Sequence, residues 1–449
     1  MGGSAFSYLA NPPYTPRMPP AVYKQVKAAY HAALRELFVH VTTPIEGPAK
    51  KDHGDIDILV AGERRLFFPK TAGDSIPKSP SDLLNEVKLL LNAEFCKITG
   101  SSANLAIRRP SCPSDQDNGN EDEKEKFIQV DVRICKDVDQ LCWGLFKHAH
   151  GDIWNLLGST IRPFGLTVDE DALWIRIPEI ENDDRKRAKV ELTRDPVEIM
   201  HFLGMKVEGF WTEPFDSVEA LFDYVTTCRL FWVSKEGSTQ EAGENAGSIG
   251  GEEGKKKLKS NDRKRMAYRA VFRRWIDEFI PKLRAEGRFG RPHGTSSKIK
   301  ELRAMVRDEA FATFFVGPEY NARVKAWRLQ RNENEVKRLI KEFVPSEGDD
   351  KRDPNQYRSI LVSAMKKIIL ENDHNFEAVV RPQFKDAEGF YDLDVVREFT
   401  VNSQKQVGEI AWGIQTARYL ESRERKELKR KIEDEAAGTS EERNIAVLC

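Results

Sequence analysis

The stretch that decides the fold is His53-Gly54-Asp55-Ile56-Asp57-Ile58-Leu59-Val60. On a strand, residues two apart share a face, so Asp55 and Asp57 point one way while Ile56, Ile58 and Val60 point the other. Neighbouring carboxylates repel, and burial alone stabilises neither. Such a pair suits a site where a cation sits between them, and hard oxygen donors at that density favour Mg2+ or Mn2+. A second stretch alternates in the same way. In Phe127-Ile128-Gln129-Val130-Asp131-Val132-Arg133-Ile134, the β-branched residues occupy one face and Gln129, Asp131 and Arg133 the other. If the two strands are neighbours, Asp131 joins the pair, and three carboxylates are enough to hold two divalent ions about 3.5–4 Å apart.

Outward from these strands, the pattern predicts a helix over 21–39, where Val22, Val26, Ala29, Ala33 and Leu37 form one stripe. Short strands are expected at 39–45 and 55–60, with Gly47-Pro48 and the basic pair Lys50 and Lys51 between them. A second amphipathic helix is expected over 81–95, capped by Ser81 or Asp82, followed by strands at 104–108 and 127–134. The intervening 110–126 is polar and acidic and reads as an exposed loop insertion. Residues 138–157 read as one helix and 173–177 as a strand. From about 193 the pattern is almost entirely helical, broken at 234–260 by a Gly-, Glu- and Ser-rich linker with basic residues at its end.

The expected organisation is therefore a Gly- and Pro-rich disordered lead-in (1–20), a small mixed-sheet domain (21–180), a helical domain (190–345) and a C-terminal helical region (350–435). This is the α+β class, with an all-α part after the sheet. A length of 449 residues accommodates that many parts. Lys plus Arg is 71 against 72 for Asp plus Glu, so global charge selects no polyanionic partner and only local clusters can. No run of about 18 apolar residues is present, so no membrane span is expected. The six cysteines include no C-x-x-C pair, which points to buried thiols in a reducing compartment, cytoplasm or nucleus.

The residues around Asp55, Asp57 and Asp131 resemble the signature of the polymerase-beta-like nucleotidyltransferase superfamily: a glycine turn, an Asp-h-Asp-h strand, and a later h-Asp-h strand. The resemblance covers roughly 39–134, in the right element order. It implies a nucleotidyltransferase domain in which Asp55 and Asp57 bind both metals, while Asp131 completes the catalytic metal site and helps activate the acceptor hydroxyl. The sequence departs from the pattern at the turn. Gly47 is followed by Pro48, which lacks the N–H that contacts phosphate, so that contact shifts to Lys50, Lys51 and the backbone near His53 and Gly54. His53 either touches a phosphate, orients Asp55, or only shapes the turn. The segment from His148 to Gly158 resembles one in uncharacterised fungal and phage members, where it follows the third carboxylate. That resemblance implies nucleotide contacts from Asp152 and Asn155, three apart on one helical face.

Arg265, Arg269 and Arg273 recur every four residues, and a continuous helix would make them a basic ridge suited to a nucleic-acid backbone. Together these features lead to the expectation of a Mg2+- or Mn2+-dependent enzyme moving NMP from an NTP (ATP among them) to a hydroxyl. The acceptor expected first is RNA, without a template. The rival expectation is a non-catalytic relative that binds nucleotide or nucleic acid as a scaffold. Oligomeric state is not legible.

Overall fold

The computed structural model describes residues 3–71, 76–110, 125–233, 260–290, 299–345 and 353–445, with side chains to 432. Most of the acidic stretch 110–126 and of the linker 234–260 lies outside the described residues.

The alternating segments form neighbouring strands. Strands β1 (Phe38–Thr42), β2 (Asp55–Glu63), β3 (Ala93–Thr99), β4 (Ser102–Arg108) and β5 (Phe127–Ile134) make a mixed sheet of order β1-β2-β5-β4-β3. Only β2 and β5 pair in parallel; the other pairs are antiparallel. The class is α+β. Ile56, Ile58 and Val60 of β2, Leu105 of β4 and Val130 and Val132 of β5 share a core with helices α1 (Pro20–Leu34) and α2 (Pro80–Leu90). Those helices contribute Val22, Val26, Leu84 and Val87, so one sheet face is sealed by apolar side chains.

The other face is divided. Leu59 and Ala61 pack with Leu141 of helix α3 (Val138–His148), and Ala106 and Phe127 pack with Phe6 of the N-terminal segment. The stretch of sheet left between these two patches carries Asp55, Asp57, Asn104, Gln129 and Asp131.

Several expectations need correction. The lead-in was expected to be disordered, yet Phe6 and Met18 are buried, and Met18 exchanges both backbone hydrogen bonds with His53. Apolar side chains spaced along a polar segment are enough to fasten it to the sheet. Helix α2 starts earlier than expected, with Ser79 as its cap accepting from the Asp82 N–H. It ends at Leu90, after which Asn92 takes the left-handed conformation (φ 51°) and β3 begins, its first three residues being ones read as helix from sequence.

The helix expected over 138–157 is two: α3, and α4 (Ile153–Ile161). Between them His150 (φ 54°) and Gly151 (φ 65°) are left-handed, and His150 is held by its N–H on Ile45 and its Nε2 on the Phe210 carbonyl, both at 2.8 Å. A three-stranded sheet follows: β6 (Leu166–Val168), β7 (Leu173–Arg176) and β8 (Lys189–Thr193), of which only β7 was foreseen. Cys135 and Cys228 are buried as expected, whereas Cys142 is exposed.

By contacts the chain divides into two compact units, Met1–Glu319 and Tyr320–Cys449, so the boundary falls inside the helix Gly317–Phe343. The second unit has its own core, built from Val336, Ile340, Leu361, Met365, Ile368, Val396 and Val407 on successive helices. No helix among the described residues is long and apolar enough to cross a membrane.

Ile58 is fully buried at the centre of the sheet core. Ile58→Ala is expected to destabilise the first unit by about 2–5 kcal/mol through lost transfer energy and a residual cavity. Urea denaturation followed by circular dichroism reads this; a loss below about 1 kcal/mol would mean the core is not built on this face.

Candidate functional site

Strand register brings the carboxylates together. Asp57 on β2 stands directly opposite Asp131 on β5, and Asp55 opposite Gln129. From the other side, β4 places Asn104 opposite Asp131. The Asp131 carboxylate is held by both neighbours: its Oδ1 accepts from Asn104 Nδ2 at 2.7 Å and from Gln129 Nε2 at 3.0 Å.

The electrostatics reflect the crowding. Asp57 is pushed up to about 7, first by desolvation against the surrounding protein and then by the negative charges of Asp55, Asp131 and Glu46. Its side chain is nonetheless exposed, so it faces solvent on one side while protein packs the others. Asp55 and Asp131 are also raised, mainly by burial, with Lys50 opposing the shift at Asp55 and the Asn104 and Gln129 hydrogen bonds opposing it at Asp131.

A rim of polar residues borders the carboxylates. The Tyr23 hydroxyl donates to Glu46 Oε1, and Lys50 Nζ pairs with Glu46 Oε2 at 2.5 Å. Burial pushes Glu46 upward, but the bonds from Lys50 and Tyr23 hold it below the ordinary carboxylate value. The Tyr23 ring stacks on His53, centroids 3.7 Å apart and planes 9° from parallel. His53 is buried and its pKa lowered, first by desolvation; its Nδ1 lies 3.8 Å from Glu46 Oε2 without a hydrogen bond.

Behind this rim, the Gly47-Pro48 turn passes close to the start of α4. A Cβ on Gly151 would lie 3.4 Å from the Gly47 Cα, and Ala49 is left-handed (φ 48°), a conformation that costs a residue with a Cβ roughly 1–2 kcal/mol. Gly54 is buried, with its carbonyl against Gly3, and Lys51 is exposed.

Asp152 and Asn155 are engaged with arginines. Asp152 Oδ1 accepts from Asn155 Nδ2 at 2.8 Å and from Arg269 Nη1 at 2.7 Å, and Asn155 Oδ1 accepts from Arg265 Nε at 2.9 Å. Arg265 also pairs with buried Asp262, as does Arg162. Arg273 donates to the carbonyls of Met266 and Ala267. The expected ridge therefore does not form. Arg269 is extended (φ −122°, ψ 103°) and separates helix Ser260–Tyr268 from helix Ala270–Arg274, which removes the common periodicity.

Of the expected site residues, Asp55, Asp57, Asp131, Lys50, His53 and Gly54 fall in one region, and Gly47 joins it to Gly151 beside Asp152. Sequence reasoning missed Tyr23, Glu46, Asn104 and Gln129. Gln129 was visible as a polar residue two before Asp131 on the same strand face. Nothing local marked Glu46 or Tyr23.

In residue type and register the three aspartates match a divalent-cation site, and all three carboxyls are raised, first by burial and, at Asp57 and Asp131, also by the charge of neighbouring aspartates. Among the described residues, however, no three His, Cys, Asp or Glu side chains stand close enough together to hold an ion as they are.

A stability measurement reads the charge crowding. A carboxyl raised on folding binds its proton more tightly in the folded state, so stability falls as pH rises from 3.8 to about 7. Solvent screening at this exposed side chain limits the effect to on the order of 1 kcal/mol. In EDTA, Asp57→Asn is expected to gain that stability relative to wild type at pH 8 but not at pH 4. Equal gains at both values would show that the cause is not charge.

No family model matches the chain, and no curated protein matches it. Among solved structures it is similar to Leishmania infantum polymerase beta in a ternary gap complex, at 14% identity and a TM-score of 0.31, over 44% of this chain and 71% of that one. A likeness that loose carries no argument about fold or activity.

Proposed function

We propose that this chain is a nucleotidyltransferase dependent on Mg2+ or Mn2+, moving NMP from an NTP to a hydroxyl acceptor without a template. The observation that carries the reading is the register of β2 and β5, which sets Asp57 against Asp131 with Asp55 on the same face of the sheet. Three mutually repelling carboxylates are costly to keep unless something cationic uses them.

In the reaction the acceptor oxygen bonds to the α-phosphorus, its proton leaves, and the bond from that phosphorus to the bridging oxygen breaks to release pyrophosphate. Asp55 and Asp57 are the residues that would hold divalent metal, with Asp131 completing the set at one position. Bound there, metal supplies charge neutralisation at the triphosphate and acidification of the acceptor hydroxyl. Asp131, already oriented by Asn104 and Gln129, would take the hydroxyl proton. Lys50 reaches a phosphate by exchanging Glu46 for it, and Glu46 holds the side chain beside the site until then. The turn at Gly47 offers backbone N–H groups from Ala49 and Lys50, since Pro48 has none.

RNA is the first acceptor to test. Arg265, Arg269 and Arg273 are all engaged within the chain, and half-exposed Arg269 would meet RNA by exchanging Asp152 for a phosphate. The second reading, a scaffold that binds nucleotide without chemistry, is favoured by the carboxylates' lack of convergence and by Pro48.

Incubation with each labelled NTP, Mg2+ or Mn2+, and total RNA tests both. Label transfer is expected, abolished by EDTA and reduced about 10²–10⁴-fold in Asp131→Ala. Transfer unaffected in Asp55→Ala/Asp57→Ala would sink the proposal. Thermal stabilisation by NTP without transfer to any acceptor would favour the scaffold.

A further inference from the structure

We infer that residues 3–18 are a working part of the carboxylate site, and that Gln129 is the positioning residue through which they act on Asp131. The inference rests on the functional reading above and extends it to how the site is controlled.

A glutamine amide has one accepting end and one donating end. The Ala5 backbone N–H can only donate, and it does so to Gln129 Oε1 at 3.0 Å. The opposite end, Nε2, is thereby turned to Asp131, where it lies 3.0 Å from Oδ1 and 3.2 Å from Oδ2. Reversing the amide would set NH2 against N–H and oxygen against carboxylate, two repulsive contacts in place of two attractive ones. Gln129 is 4% exposed, so water cannot readily make up the difference. The Ala5 N–H and the Asp131 carboxylate thus select the same orientation of the amide, and the distant segment locks it.

The segment is fastened on both sides of this contact. Phe6 packs on Ala106 and Phe127, and the Phe127 N–H donates to the Tyr14 carbonyl at 2.8 Å. Met18 is bound to His53, two residues before Asp55. Thr15 Oγ1 donates to the Gly3 carbonyl at 2.6 Å, and a Cβ on Gly3 would come within 3.2 Å of the Gly54 carbonyl. The strap thus spans from the start of β5 to the residue beside Asp55.

The arrangement also distinguishes the two oxygens of Asp131. Oδ1 accepts from both Asn104 and Gln129, while Oδ2 has only the longer bond from Gln129. Oδ2 is then the oxygen left to meet metal or the acceptor proton. Displacing the strap would loosen Gln129 and disorient Asp131 without touching a carboxylate.

The test uses the full chain with Ala5→Pro, which removes the N–H; Ala5→Gly, which keeps it; and Gln129→Leu, which removes the link. Mn2+ binding followed by electron paramagnetic resonance is expected to weaken about 10–100-fold in Ala5→Pro and Gln129→Leu, as for other groups that orient metal ligands. Ala5→Gly, which loses only the methyl packed beside Phe6, should bind Mn2+ far more tightly than Ala5→Pro. In the transfer assay kcat should fall while KM for NTP holds. In metal-free protein, hydrogen exchange of the peptide around Ala5 should quicken in Gln129→Leu, a readout independent of activity. Wild-type Mn2+ affinity and exchange in Gln129→Leu, which stands even if Ala5→Pro fails to fold, would overturn the inference alone. Absence of Mn2+ binding and of transfer in wild type would overturn the functional reading, and this inference with it.

Discussion

The parallel pairing of β2 with β5 places like charges face to face, and much of the first unit is arranged around that repulsion. Asp57 meets Asp131 across the strands, and Asp55 adds a third charge on the same face. Hydrophobic burial on the opposite face fixes the register, because a slip by one residue would exchange Ile56, Ile58 and Val60 with the carboxylates. The core thus holds the aspartates in a position they would not choose for themselves. Asn104, Gln129 and Lys50 offset part of the cost with hydrogen bonds and charge, and Glu46 adds to it.

The periphery ties distant segments to this face. The N-terminal strap reaches Gln129 and His53, and the loop at Gly47 is braced by Gly151 between α3 and α4. Arg265 and Arg269 connect residues 260–274 to α4 through Asn155 and Asp152, with buried Asp262 gathering Arg162 and Arg265. Breaking a buried pair of that kind leaves charge uncompensated, so these links hold the helices in place even though their net stabilisation is small. Of the arginines that looked like a nucleic-acid surface, Arg265 and Arg269 tie residues 260–274 to α4, and Arg273 bonds to nearby backbone carbonyls.

Where sequence and structure agree, the physical reason is local. Alternation over Asp55–Val60 and Phe127–Ile134 specified two strands, one apolar face and one acidic face, and strand geometry alone put Asp55, Asp57 and Asp131 on the acidic one. Where they differ, a nonlocal contact wins over local propensity. Residues 93–95 extend the helical pattern of α2, but β4 offers Ala93–Thr99 a pairing edge and they become a strand. The helix expected over 138–157 breaks because His150 is drawn to Ile45 and Phe210, residues far along the chain. The lead-in is ordered because Phe6 and Met18 find pockets that exist only once the sheet has formed.

By itself, then, the sequence determined the α+β class, the core-facing residues of the central strands and the three aspartates, since each follows from a period of two and the chemistry of one side chain. Only the tertiary structure decided what surrounds them. That Tyr23 binds Glu46, that Ala5 and Asp131 grip opposite ends of Gln129, and that Arg269 spends its charge on Asp152 depend on segments brought together by folding. Hydrogen-bond partners separated by 23 to 124 positions leave no periodic trace, because no local rule couples their identities.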